Sequence, residues 1–282
     1  MSMRVWVNGR IVGDEPSLNA LDHGVTVGDG VFETCKVVDS GVFALQRHHE
    51  RLDRSLAAMG LPAADRGILD EAIGAVLEEP ITFGRLRYTV TAGVGPMGSD
   101  RGDAPLSYVV AAAEAKPFAP TAKVVVVPWT RNERGALAGV KSTSYGENVL
   151  ALARAKAEGG SEAIFANTRG ELCEGTGSNI FVVIDGVAVT PPLTSGALAG
   201  ITRALTLEAA AAAGIPTAER DLPIDVLDTC EEVFLTSTTR DIQPVHAVGE
   251  RRIAAPGPVT TQLQAAFAEV SREMGVTRFA PV

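Results

Sequence analysis

Apolar positions recur every second residue in some stretches of the chain and every third or fourth in others. Residues 4–7 and 10–12 flank Asn8-Gly9, a pair suited to a type I′ turn, and predict an opening hairpin. A glycine-rich stretch, Leu21-Asp-His-Gly-Val-Thr-Val-Gly-Asp-Gly30, leads into a strand over 31–38, which Asp39-Ser-Gly41 turns into a strand over 42–45. Alternation within 31–38 puts Phe32, Thr34 and Lys36 on one face and Glu33 and Cys35 on the other. Leu52, Leu56 and Met59 mark the buried side of a helix over 47–59. Ile68, Leu69, Ile73, Val76 and Leu77 do the same for a helix over 65–78. Strands over 85–91 and 107–113 complete a half with its helices grouped between strands, which is an α+β pattern.

Two prolines in Ala115-Lys-Pro-Phe-Ala-Pro-Thr121 end the last of these strands and predict a domain boundary. The expected division is an N-terminal α+β domain over 1–117, a linker over 118–121 and a C-terminal domain over 122–282. A short β-branched strand over 123–127 is followed by a helix over 146–158 with apolar Val149, Leu150 and Leu152. Stretches 162–167, 171–176, 179–184 and 187–190 read as a meander, turned at Thr168-Arg-Gly170 and Asp185-Gly186. Gly196-Ala-Leu-Ala-Gly200 precedes a helix over 201–213 that Gly214 ends. A strand over 233–236, a late hairpin and a helix over 259–274 close the chain.

Composition narrows the class of protein. A 46% apolar and 21% charged chain of 282 residues can bury a large core. Its formal net charge of -9 leaves no basic stripe for a nucleic-acid backbone. No apolar run reaches membrane-span length, and the N-terminus lacks a signal-peptide pattern. Three cysteines, odd in number and far apart, point to reduced thiols and a cytoplasmic protein. The four histidines have no metal-ligand spacing, so no metal site is expected.

Chemistry must then come from other side chains. Gly93-Val-Gly95-Pro-Met-Gly98 has dinucleotide-fingerprint spacing but opens no helix, and Gly135 to Ser142 misses the P-loop intervals. Lys141 stands between the small-residue run 135–140 and an apolar helix. Such a lysine can be desolvated into a Schiff-base nucleophile, or it can snorkel to water. Glu174 sits in an apolar strand before Gly-Thr-Gly; if buried it needs a partner, either a pyridinium N–H or a structural ion pair. Gly200-Ile-Thr202-Arg203 opens a helix whose amides could hold a phosphate or simply be capped. Leu235-Thr-Ser-Thr-Thr239 offers hydroxyls at a strand end.

In order along the chain, Gly28-Asp-Gly-Val-Phe-Glu-Thr34, His49-Glu-Arg51-Leu-Asp-Arg-Ser55, Lys141, Glu174-Gly-Thr-Gly-Ser-Asn-Ile-Phe181, Gly200-Ile-Thr-Arg203 and Thr238 resemble the fold-type IV enzymes that use pyridoxal 5′-phosphate (PLP). The resemblance implies two α+β domains, the second and larger with a barrel-like sheet and flanking helices, and a homodimer. It implies that Lys141 holds PLP and moves the substrate proton, and that Glu174 keeps the pyridine nitrogen protonated. It gives Arg51, Ile201, Thr202 and Thr238 to the phosphate, Leu198 to one ring face, and Tyr145 to the phenolic oxygen. Phe32, Thr34, Lys36, Arg87 and Thr239 then fall on the substrate side, for a small amine or amino-acid-like molecule with a carboxylate. Arg87 reads equally as a solvated strand arginine.

Departures sort the family. The Arg-x-His pair of D-amino-acid transaminases is missing from the 94–99 loop. A tyrosine near Val27 and a glycine near Thr34, both found in branched-chain enzymes, are also missing. The Gly-Asp-Gly-x-Phe-x-Thr context is closer to 4-amino-4-deoxychorismate lyases, so the leading expectation is conversion of that substrate to 4-aminobenzoate and pyruvate. A branched-chain or D-amino-acid transaminase is the alternative, and a PLP-binding protein without catalysis is a third.

Overall fold

The computed structural model describes residues 3–13 and 15–279, which fall into two compact units. One takes in the chain up to Pro117, Val140–Ser144 and the segment from Gly275; the other is Phe118–Gly139 with Tyr145–Met274.

The first unit begins with β1 (Met3–Val7) and β2 (Arg10–Val12), hinged on Asn8 and Gly9 at φ 44° and 99°. Both angles are positive, as a type I′ turn requires. A one-turn helix α1 (His23–Thr26), capped by the Asp22 carboxylate, interrupts the glycine-rich stretch. Then come β3 (Gly30–Val38), β4 (Gly41–Phe43), α2 (Leu45–Ala58), α3 (Arg66–Val76), β5 (Phe83–Thr91) and β6 (Ser107–Glu114). The strand predicted over 42–45 ends early because Ala44 takes a left-handed conformation, φ 52°, and starts α2.

β3 lies inside the sheet, paired along its length with β5, and both of its faces are covered. On α2 the stripe of Leu52 and Leu56 is buried as expected, but it also carries His48, His49, Arg51 and Ser55. A helix face that buries four polar residues must satisfy them inside the unit.

The second unit holds β7 (Ala122–Arg131), α4 (Gly146–Ala157), β8 (Glu162–Asn167), β9 (Leu172–Gly175), β10 (Asn179–Ile184) and β11 (Val187–Thr190). It continues through α5 (Ile201–Ala213), β12 (Thr217–Glu219), β13 (Glu232–Ser237), β14 (Asp241–Val248), β15 (Arg251–Arg252) and α6 (Pro258–Met274). Strand order is β12-β11-β10-β13-β14-β7-β8-β9, a curled, barrel-like sheet.

The predicted four-strand meander is therefore two separate hairpins, β8–β9 and β10–β11, with β13, β14 and β7 between them in the order. Each strand follows the expected alternation, but long-range pairing with β13 and β7 wins over pairing of sequence neighbours. α4 likewise turns Ala151 and Ala155 inward with Val125, Val127 and Phe165, leaving Val149 and Leu150 exposed.

A last strand, β16 (Val276–Thr277), pairs antiparallel with β4 and so belongs to the first unit. Val140–Ser144 belongs there as well, because Ser142 pairs with Val31. Lys141 thus sits in the first unit, whereas a single division at 118–121 assigns it to the second. Among the described residues no helix is long and apolar enough to cross a membrane.

Candidate active site

Glu33 projects from the middle of β3 and is fully buried. Arg51 meets it at both carboxylate oxygens, Nε donating to Oε1 at 2.8 Å and Nη2 to Oε2 at 2.6 Å. Burial works to raise the Glu33 pKa, but the Arg51 charge and the hydrogen bonds from Arg51 and His48 outweigh it and hold it at about 2. Burial also pushes His48 below its ordinary range, which keeps the ring neutral. Beside an acceptor-only carboxylate a neutral imidazole carries its proton on Nδ1, so Nδ1 donates to Glu33 Oε2 at 2.7 Å.

Lys141 is held in extended backbone beside the start of β3. Phe32 N donates to Lys141 O at 3.0 Å, and Thr143 N to Gly30 O at 2.8 Å. Its own amide reaches Ser55 Oγ on α2 at 3.3 Å. The half-buried side chain places Nζ 4.5 Å from the centroid of the Phe32 ring. The exposed Arg87 stacks on that same ring, Cζ 3.6 Å from its centroid.

Three predicted residues (Lys141, Phe32 and Arg87) are therefore brought together. Thr34 is opposite Arg87 in the β3–β5 register. Lys36, buried further along β3, rests over Phe43 of β4 at 4.7 Å. Arg51 is engaged with Glu33.

In the second unit Glu174 is flanked by Arg131, with Nε 3.2 Å from Oε1. Leu198 N donates to Oε2 at 2.9 Å. Glu174 thus has a structural ion pair, one of the two partners that its sequence leaves open, and its second oxygen is aimed by backbone. Leu198 is fixed in turn by Asn179, whose Nδ2 donates to Leu198 O at 2.9 Å.

α5 starts on Gly200 with no side-chain cap, and a Cβ at Gly200 would collide with the Asn179 side-chain oxygen. Only a glycine lets the helix start come so close. Ile201 and Thr202 are buried directly behind it. Thr238 and Thr239 lie half-buried in the turn from β13 to β14. Arg240 anchors that turn, donating to Glu162 Oε2 at 2.9 Å. Glu162 also accepts from Thr176 N and Ser178 Oγ, each at 3.1 Å, and so ties down the loop after Glu174. Tyr145 lies half-buried at the start of α4.

Each unit by itself offers groups of the kinds PLP needs: the first a lysine held by backbone, the second a carboxylate beside an arginine and a helix start without a side-chain cap. The thiols are not reactive groups here. Cys35, Cys173 and Cys230 are unpaired and buried, and burial pushes Cys173 up to about 12. Among the described residues no group of three His, Cys, Asp or Glu could hold a metal ion.

Four supporting residues escaped the sequence reading. Glu33 and His48 had a signal, since His48, Arg51 and Ser55 share the helical stripe of Leu52 and Leu56. Arg131 and Glu162 had none, because their partners are distant in sequence.

A family model described as amino-transferase class IV matches residues 30–248. A branched-chain-amino-acid aminotransferase of Pseudomonas aeruginosa is 30% identical over 93% of this chain and 91% of its own. A branched-chain aminotransferase of Thermoproteus uzoniensis, solved with norvaline, superposes with a TM-score of 0.89 at 29% identity, covering 97% of this chain and 96% of that one. A Legionella pneumophila chain named as a candidate 4-amino-4-deoxychorismate lyase superposes at 0.84 with 24% identity, over 91% of this chain and 96% of its own, which is a likeness of fold alone.

Proposed function

The chain belongs to the class IV aminotransferases, and we propose that it moves the amino group of branched-chain L-amino acids to a 2-oxo acid. Enzymes of this family depend on PLP, which when bound supplies the electron sink that lets the bond to the amine-bearing carbon's hydrogen break.

The chain's residues take the following parts. Lys141 would hold the cofactor through Nζ and, once the substrate amine has displaced it, the freed Nζ would remove and return the substrate's proton. Glu174, paired with Arg131 and oriented by the Leu198 amide, would hold the proton on the pyridine nitrogen. Arg51, Ile201, Thr202 and Thr238 would bind the phosphate, Leu198 would pack on the ring, and Tyr145 would meet its phenolic oxygen.

The observation that supports an amino-acid substrate is the Phe32 ring shared by Lys141 and Arg87. It sets a cation suited to a carboxylate near the amine that does the chemistry. Thr34, Lys36 and Thr239 complete the substrate side. The branched-chain class comes from the relatives' names, and the L preference from the missing Arg-x-His pair.

Thr34 and its Gly-Asp-Gly-x-Phe context favour a second reading, release of 4-aminobenzoate and pyruvate from 4-amino-4-deoxychorismate. One incubation series separates them. L- and D-amino acids with 2-oxoglutarate are scored for glutamate, and aminodeoxychorismate for 4-aminobenzoate. Glutamate from leucine, isoleucine and valine of the L series is expected. 4-Aminobenzoate without glutamate would replace this reading by the lyase, and inactivity with PLP bound would leave a non-catalytic binder. A homodimer is part of the proposal, and light scattering should give the mass of two 29.4 kDa chains.

A further inference from the structure

Arg51 and Glu33 make a more restrictive contact than ion pairing requires. Both carboxylate oxygens are used, Oε1 by Nε at 2.8 Å and Oε2 by Nη2 at 2.6 Å. A planar fork on a planar carboxylate fixes the orientation of the guanidinium as well as its place. His48, three residues before Arg51 on the same buried face of α2, donates to Oε2 at 2.7 Å and keeps the carboxylate from turning. All three side chains are buried, so water does not loosen the arrangement. One N–H bond of Nε and one of Nη2 thereby point at Glu33, and the plane of the whole guanidinium is set by that contact.

Charge alone argues against such a partner for a phosphate-binding arginine. Glu33 stays ionised, held at about 2, and weakens the pull of Arg51 on a dianion. Its presence is useful for binding only if aim outweighs the lost charge.

We propose that Glu33 is the positioning residue for phosphate recognition: it aims Arg51 at the cofactor's phosphate, and His48 braces it. The proposal rests on the PLP reading above and on Arg51 as a phosphate ligand.

Pyridoxal lacks the phosphate, so the ratio of its Kd to that of PLP isolates phosphate recognition from the rest of cofactor binding. Both ligands are titrated against the full-length chain, its Glu33→Gln and Arg51→Gln variants and the double variant, with thermal melts alongside. Glu33→Gln should lower the ratio at least about tenfold, since aim rather than charge is lost. The double variant should have the same ratio as Arg51→Gln, because Glu33 acts through Arg51. A ratio in Glu33→Gln equal to or above that of the unaltered chain would overturn the proposal, leaving an ion pair that only stabilises the unit. A further loss in the double variant would also overturn it, since Glu33 would then act by another route.

Should Glu33→Gln fail to fold, Glu33→Asp keeps the charge and retracts the carboxylate by one carbon. A fall of about threefold or more in its ratio supports the proposal, and an unchanged ratio sinks it. An unaltered chain that binds pyridoxal as tightly as PLP would overturn Arg51 as a phosphate ligand. One that binds neither would overturn the PLP reading itself.

Discussion

Lys141 shares one aromatic ring with Arg87, and its amide is tied to the helix that carries Arg51. Its backbone is placed by pairing with the start of β3. Lys141→Ala should therefore fold normally yet lose the visible absorbance that PLP acquires on bonding to a lysine. Borohydride treatment of the unaltered chain should place the pyridoxyl mass on the peptide containing Lys141. The same label on Lys36, the buried lysine of β3, would mean that the wrong lysine has been assigned. Lys141 and Glu174 could be picked out by residue type and motif. Arg131 could not, since a strand-end arginine says nothing about a carboxylate that is 43 positions away.

At the scale of elements, the start of α5 shows what a glycine is needed for. Gly200 has φ -68°, an angle open to any residue, so the requirement is space and not backbone freedom. A Cβ there would displace Asn179, which holds Leu198, which in turn donates to Glu174. Gly200→Ala should cost about 1–3 kcal/mol of stability, as overpacked sites do, and weaken PLP binding as well. A thermal melt and a PLP titration would check both, and unchanged values in the two would refute this account of the loop. Element boundaries were mostly legible because turn residues and periodicity are local signals, as at Asn8-Gly9 and Gly214. The inward face of α4 was not. Alanines pack against β7 and β8 there, and only the neighbouring strands show that Val149 and Leu150 are turned outward.

For the molecule as a whole, acid should act in two windows. Burial first, and then the Arg66 charge, depress His49 to about 4 from 6.5. An unfolded chain therefore takes up this proton earlier, and stability falls as pH drops from 6.5 through 4. Glu33 runs the other way in charge but not in outcome. Its carboxyl is depressed to about 2, so its stabilisation is complete above pH 4.5 and is lost as pH falls through 2. The gap from 4.5 to about 2 corresponds to roughly 3 kcal/mol for this fully buried group. Urea midpoints measured from pH 7 to pH 3 should fall gently at first and steeply below 4.5. His49→Gln should flatten the upper window alone, and an unaltered upper window in that variant would contradict the assignment.

Local pattern and motif order were enough to fix the α+β class, nearly every element and the family, because period, turn chemistry and spaced motifs are written in neighbouring residues. The tertiary structure alone decided which strands pair, which unit carries Lys141 and what lies under Arg51. Each of these depends on residues far apart in the chain, and a sequence states their presence without their meeting. Glu33, a motif position with no assigned role, gained its role only when β3 and α2 brought it under Arg51 and His48.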